Sequence, residues 1–287
     1  MLKTILNFIV ITLLLIGFSL IFKVGSRQLD PAVKVYFLDV GQGDSELIQF
    51  GDTQVLIDGG PSSDVVQKLG DKMPVGDKNI EYMILTHPHA DHIVGLNAVL
   101  DRYTVGKIYS SGVVGSSDVY LEFLSKVRDK NIEMVVPEIG YRFEPFPDGE
   151  ISFFWPGDKF KSLEATDLND TSEVNNFCYK SHCIFFTGDI QADAVAEISA
   201  SNDSTKLLSE VIKVPHHGSK YSLSPEFYQK VNPETAIVSA SAGNSYGHPH
   251  QEVLNYLQSV GINIFRTDQD GDITCSFVDK WQCQGSR

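Results

Sequence analysis

Positive charge is scarce in this sequence: 23 Lys and Arg stand against 37 Asp and Glu in 287 residues, a formal net charge of −14. A surface of that sign repels phosphate backbones, so broad electrostatic adhesion to nucleic acid is excluded. Any phosphate chemistry would need locally bound cations. Cysteine is also sparse. The four cysteines fall into two local pairs, Cys178/Cys183 and Cys275/Cys283. Neither pair has the two-residue spacing of a zinc ribbon. Cys178 and Cys183 flank Tyr179–His182 and can face each other across a tight hairpin. Local disulfides would suit an oxidising compartment; the alternative is four unconnected core thiols. Low-complexity tracts and short repeats are missing too, which excludes fibrous and solenoid architectures. What remains is ordinary globular composition, 42% hydrophobic and 21% charged, ample for a well-buried core.

One segment stands apart. Ile5–Phe22 runs 18 residues without a charge. It lacks amphipathic periodicity, which argues against a core helix, and its length approaches the roughly 20 residues of a membrane span. Residues 1–30 are therefore expected to form a hydrophobic helix with a linker, acting as a membrane anchor. The alternative is a cleaved signal, with Val24-Gly25-Ser26 as a weak cleavage site and a secreted product. Lys3 lies on one flank and Lys23, Arg27 and Lys34 on the other, so charge does not favour export. The signal-like character places the large domain, residues 31–287, outside the cytoplasm.

Within 31–287 short β-rich runs come first: Lys34–Val40, Glu46–Phe50 and Gln54–Asp58, punctuated by Gly41, Gly43 and Gly51-Asp52. Helical and strand patterns then alternate. Helices are expected at Asp64–Met73, Ile93–Tyr103, Tyr120–Lys130, Ala192–Ser199, Pro225–Val231 and Gln251–Val260. Strands between them include Tyr82–Thr86, His182–Thr187, Glu210–Pro215 and Thr235–Ser239. Strands alternating with helices in two similar halves imply an α/β fold, an αββα sandwich with sites at its strand ends.

The densest chemistry is Thr86-His87-Pro88-His89-Ala90-Asp91-His92, directly after an apolar strand. Three histidines and one aspartate within six residues are hard to explain as packing. Imidazole and carboxylate are the donors that Zn²⁺ and Mn²⁺ take. Other chemical residues also sit at strand ends. Asp58 precedes Gly59-Gly60, where an aspartate is often only a turn residue. Asp189, in Thr187-Gly188-Asp189, is placed either to bridge two cations or to cap the next helix. His216 and His217 are adjacent and point in different directions, so at most one ligates directly. His248, in Gly247-His248-Pro249, is placed to bind substrate or protonate a leaving group, or is simply a solvated loop residue.

His87-Pro88-His89-Ala90-Asp91-His92 resembles the HxHxDH signature of the metallo-β-lactamase superfamily. Val40-Gly41-Gln42-Gly43-Asp44-Ser45, Leu56–Gly60, Thr187-Gly188-Asp189, Val214–Ser219 and Tyr246–Pro249 resemble, more narrowly, the β-lactamase-like domain of ComEC-type DNA-uptake proteins and their stand-alone relatives. The likeness runs from about Lys34 to Gly271. It implies that His87 and His89 ligate a first metal, and that Asp91 and His92 ligate a second, with Asp91 doubling as proton acceptor. Asp189 would be the bridging carboxylate and His216 the late ligand, with His217 as its substitute. Asp58 would orient a ligand histidine rather than bind metal. Many superfamily members have another ligand histidine before the Gly-Asp motif. Here the interval holds only His182, inside a strand; Asn169 or Asp170 is the nearest replacement. One or two divalent cations, Zn²⁺ or Mn²⁺, are thus expected.

Such a set would supply hydroxide at neutral pH, with His248 or His217 as general acid and Asp44 and Ser219 close to the substrate, Ser219 as a donor to phosphate. The first functional expectation is a phosphodiesterase or nuclease. DNA is a possible substrate that the net charge does not favour. The second is a hydrolase of small esters, lactones or cell-wall phosphoesters, since fold does not fix substrate. The third, a non-catalytic metal-stabilised module, would predict broken ligand motifs, and here they are intact. Apart from the membrane, no protein partner is inferable.

Overall fold

The computed structural model describes residues 32–157, 167–201 and 204–287. Among these residues fifteen strands form two sheets. Those that carry the site are β1 (Lys34–Phe37), β2 (Glu46–Phe50), β3 (Thr53–Ile57) and β4 (Asn79–Leu85) in the first sheet. In the second they are β9 (Val174–Tyr179), β10 (His182–Phe186), β11 (Val211–Lys213) and β12 (Thr235–Val238). With β5 (Thr104–Ser110), β6 (Glu133–Val135), β7 (Arg142–Phe146), β8 (Gly149–Trp155), β13 (Asn263–Arg266), β14 (Ile273–Phe277) and β15 (Trp281–Gly285), the first has the order β15-β14-β1-β2-β3-β4-β5-β6 and the second β13-β12-β11-β10-β9-β8-β7.

The first sheet has four antiparallel and three parallel pairings, and the second has three of each. β3 pairs β4 in parallel, and β10, β11 and β12 are parallel to one another. Three apolar layers hold the sandwich. One lies between the first sheet and helices α1 (Asp64–Lys72), α2 (Ala90–Arg102) and α3 (Asp118–Asp129). A second lies between the sheets, with Phe37, Ile48, Ile84, Phe177 and Phe186. The third lies under α4 (Ala192–Ser201), α6 (Pro225–Val231) and α7 (Gln251–Ser259). The short helix α5 (Ser204–Leu207) links α4 to β11.

Because both faces of the central strands are covered, their sequences read as continuous apolar runs rather than alternations. In β4, Met83 and Leu85 face the helices while Ile84 faces the other sheet. The αββα arrangement expected from the alternation of elements is therefore present in the described residues.

Several details differ from expectation. Helix α2 begins at Ala90, not Ile93, so Asp91 and His92 stand on its first turn. Two strands were not anticipated, β7 (Arg142–Phe146) and β15 (Trp281–Gly285). Both are sheet edges. An edge tolerates polar side chains and a proline, here Pro145, which erases the usual strand signal.

The expected membrane anchoring is corrected. Among the described residues no helix is long and apolar enough to cross a membrane. The longest, α2, has 13 residues, about 20 Å at 1.5 Å per residue against a hydrocarbon core of about 30 Å. The segment Ile5–Phe22 on which the anchor rested lies outside the described residues.

Both cysteine pairs are disulfides. Cys178–Cys183 joins facing residues of the β9–β10 hairpin, and Cys275–Cys283 those of β14 (Ile273–Phe277) and β15. Their Cα atoms are 4.1 and 4.0 Å apart.

Candidate metal centre

The site is built at the carboxyl ends of the parallel strands, where open α/β sheets place their ligands. Asp58 follows β3, Thr86–His89 follow β4, Asp189 follows β10, and His216-His217 follow β11. Two close approaches bring the loops together. Asp44 N bonds to Asp91 O at 3.3 Å, and a Cβ on Gly43 would lie 2.1 Å from that oxygen, so only glycine lets the Gln42–Asp44 loop cross the start of α2. Gly59 N bonds to His92 O at 2.8 Å and Gly95 N to Gly60 O at 3.0 Å. These bonds seat the Asp58 loop beneath His92.

Asp58 organises one wing. Its Oδ1 accepts from Thr86 N (2.9 Å) and its Oδ2 from Thr86 Oγ1 (2.6 Å). The same Oδ2 accepts from His92 Nδ1 at 2.7 Å. That bond fixes the ring and aims His92 Nε2 at Asp189 Oδ2, 3.2 Å away. Carboxylate–histidine pairs of this kind orient metal ligands.

Opposite lies His217, buried, with Nδ1 3.0 Å from Ser239 O and 3.3 Å from Asp44 Oδ1. Its Nε2 is 3.1 Å from Asp189 Oδ2 and 3.4 Å from Asp91 Oδ2. It is nevertheless out of line for a hydrogen bond with either.

Asp91, His92, Asp189 and His217 each offer a ligand atom, all within 4.8 Å of one another. Two imidazoles and two carboxylates in that span match the donor set of a borderline divalent cation. His217, not His216, completes this group. His216 Nε2 is 3.9 Å from Asp189 Oδ2, and its ring is part of the cleft wall.

His87 and His89 form a separate pair. Thr86 Oγ1 donates to Asp58, and Ser172 Oγ donates to Asn169 O. With both hydroxyl protons committed, His87 Nδ1 must be the donor to these oxygens, at 3.1 and 3.2 Å. Its Nε2 lone pair then meets His89 Nδ1 at 3.0 Å. The pair satisfies itself and stands outside the four-residue group.

The electrostatics follow the same division. Burial would lower the pKa of His92, but Asp189 and Asp58 raise it well above the usual histidine range. His217 is raised likewise, against burial, by Asp189 and Asp44. Burial opposes ionisation of Asp189, yet His217, His92 and Lys213 hold it well below the carboxylate range. Asp91 is lowered by His92 and His217 against its own burial. His87 is pushed well below the usual range by burial and by His92. His248 is pushed down to about 4 by burial and by His216 and His217. It is neutral at pH 7.

A cleft of about 350 Å³ opens above the group. Gln42, His89, Asn169, Tyr246 and His248 share its wall, and none of the described residues that line it is Lys or Arg. Two further candidates are placed elsewhere. Ser219 is buried, its hydroxyl accepting from Tyr221 N. Asp44 is buried behind His217. His182 pairs with Glu210 at the opposite end of β10 from Asp189, and Asp170 accepts from Gln191 N. The residue that sequence reasoning missed is Lys213, 1% exposed and paired to Asp44 and Asp189. Its one signal was a charge closing an apolar strand, Val211-Ile212-Lys213.

The sequence and the fold both match known proteins. The description of the metallo-beta-lactamase superfamily matches residues 38–241. ComE operon protein 3 of Bacillus subtilis (strain 168) is 30% identical over 277 residues, covering 86% of this chain and 33% of that protein. Competence protein ComA of Neisseria gonorrhoeae is 25% identical, covering 90% and 34%. The chain thus spans about a third of the length of these relatives. Among solved structures, the metallo-beta-lactamase fold protein YhfI from Bacillus subtilis superposes with a TM-score of 0.54 at 14% identity, covering 82% of this chain and 96% of that one. The metallo hydrolase Igni18 from Ignicoccus hospitalis gives 0.53 at 15%, covering 85% and 100%. The strand-end donors, the sandwich and these likenesses agree: the chain belongs to the metallo-β-lactamase superfamily of metal-dependent hydrolases and is similar to ComEC-type proteins.

Proposed function

We propose that this chain hydrolyses phosphodiester bonds with a divalent cation, Zn²⁺ or Mn²⁺, held by Asp91, His92, Asp189 and His217. The observation that carries the reading is the convergence of those four donors beneath an open cleft. A bound divalent cation brings the pKa of a coordinated water toward about 7 and neutralises a phosphate anion. The protein's own groups do the rest. Asp91, a carboxylate at the cleft rim, accepts the proton of the attacking water. His248 faces the cleft as a neutral imidazole and hydrogen-bonds the leaving oxygen. It acts as an acid only after a bound anion raises its pKa. The names of the relatives, a competence protein and a ComE operon protein, support DNA as the phosphodiester.

A second reading is favoured by one observation. Among the described residues the cleft wall holds no cationic side chain, and such a wall suits a small ester or phosphoester better than a long polyanion. The test is hydrolysis by the full chain, reconstituted with Mn²⁺ or Zn²⁺, on bis-p-nitrophenyl phosphate, single-stranded DNA and p-nitrophenyl acetate, with Asp189→Asn as control. Metal-dependent phosphodiester cleavage lost in the control supports the proposal. Acetate cleavage alone moves the assignment to small esters. Tight metal binding with no turnover of any of the three defeats both.

A further inference from the structure

Lys213 ends β11 on the face turned toward the first sheet, in the same row as the buried Val211. Its ammonium is enclosed and makes three contacts: Gly188 O at 2.9 Å, Asp189 Oδ1 at 3.3 Å and a close ion pair with Asp44 Oδ2. All three N–H donors are used, which is what a buried ammonium requires. The side chain does not line the cleft, so it touches no substrate there. Asp44 in turn presents its other oxygen to His217 Nδ1, 3.3 Å away. One chain of contacts therefore runs Asp189–Lys213–Asp44–His217 and ties together two members of the candidate metal group.

We propose that Lys213 is a positioning residue that makes Asp189 a one-oxygen ligand and sets which cation the group prefers. The inference rests on the metal reading above. With Oδ1 held by the ammonium, Asp189 presents only Oδ2 to the group, where His92 Nε2 and His217 Nε2 lie at 3.2 and 3.1 Å. Asp91, His92, Asp189 and His217 then supply four single donors. Four donors suit Zn²⁺, whereas Mn²⁺ prefers about six, mostly oxygen. The ammonium also offsets the carboxylates of Asp44 and Asp189, so the group keeps its arrangement before a cation arrives. The other wing has no equivalent: Asp58 is held by the neutral Thr86 and by His92 alone.

The test is a full-chain Asp44→Asn/Lys213→Met double variant. Removing both halves of the Asp44–Lys213 pair leaves neither of them as a lone buried charge, and the amide that replaces the carboxylate keeps its size beside His217. Lys213→Arg, which keeps the cation, is the rescue control. Loaded with Co²⁺ alone, the wild type is expected to show the intense visible absorption of a low-coordinate ion. In the double variant the freed Oδ1 of Asp189 should raise the coordination number and cut that absorption by about half. The Zn²⁺-over-Mn²⁺ preference, read by competition dialysis, should fall by about fivefold or more. Lys213→Arg should keep the wild-type spectrum and preference. A double variant that binds Co²⁺ with the wild-type spectrum and preference overturns the assignment, as does a Lys213→Arg protein that behaves like the double variant. Wild type that binds no cation overturns the metal reading instead, which keeps the two failures apart.

Discussion

Two groups of histidines share one strand-end cluster, and they are built differently. His87 and His89 are hydrogen-bonded to each other, and His87 Nδ1 donates to the hydroxyl oxygens of Thr86 and Ser172. His92 and His217 are each backed by a buried carboxylate, Asp58 and Asp44, and both face Asp189. The first pair is complete as it stands. The second converges on carboxylates, Asp91 and Asp189, that can hold a cation. Motif order in the chain ranks the two equally; the geometry gathers only the second around shared carboxylates. The binding strength of the centre is therefore expected to reside in Asp91, His92, Asp189 and His217.

The largest effect should separate the two groups directly. Asp189→Asn is expected to reduce Zn²⁺ affinity by about 100-fold or more, while His87→Ala/His89→Ala costs about tenfold. Equilibrium dialysis checks both, and the reverse ranking would break the comparison. Next comes the backing carboxylate. Asp58→Ala frees the His92 ring and should weaken metal binding by about 10- to 100-fold, with thermal unfolding of the metal-loaded protein as a second readout.

Protons sharpen the contrast further. His92 and His217 have raised pKa values in the metal-free protein, so both carry a proton at pH 7 that a cation must displace. Binding should release about two protons at pH 7, measurable by calorimetry in Pipes and Tris buffers, and affinity should rise with pH. His87, whose pKa is depressed, should release none. The same shifts give metal-free stability a sign. The contribution of His92 and His217 is complete below about 6.5, their unfolded value, and is lost as pH rises through their raised folded values. That of Asp189 and Asp91 is present above about 3.9 and is lost as pH falls through their depressed folded values.

The smallest effect on the centre should come from the disulfides. Cys275→Ser/Cys283→Ser is expected to lower unfolding free energy by about 2–3 kcal/mol and leave metal affinity unchanged. A loss of metal with that bridge would show that the hairpin and the centre are coupled.

Much of this was readable from residue order. Apolar runs closed by Asp or His place chemistry at strand ends whatever the long-range packing, and the alternation of elements specifies the two-layered sheet core. Two edge strands, β7 and β15, were not legible, because an edge need not hide either face. Helix α2 began a turn earlier than its apolar pattern because His89 caps it through its carbonyl, accepting from Ile93 N. Polar residues at a helix start carry no apolar periodicity to read.

The sequence by itself determined the donor types, their position after strands, the acidic balance and the family. The tertiary structure alone decided which donors meet. His216 and His217 occupy consecutive left-handed backbone conformations, φ 46° and 54°, a strained geometry for non-glycine residues that surrounding contacts must impose. That twist turns His217 inward and leaves His216 on the cleft wall. Lys213 likewise reads as a surface charge until β10 and the Gln42–Asp44 loop enclose it. Side-chain direction and ion pairing at the site depend on neighbours far away in the chain, as between Asp44 and Lys213, 169 residues apart, and no local pattern encodes them.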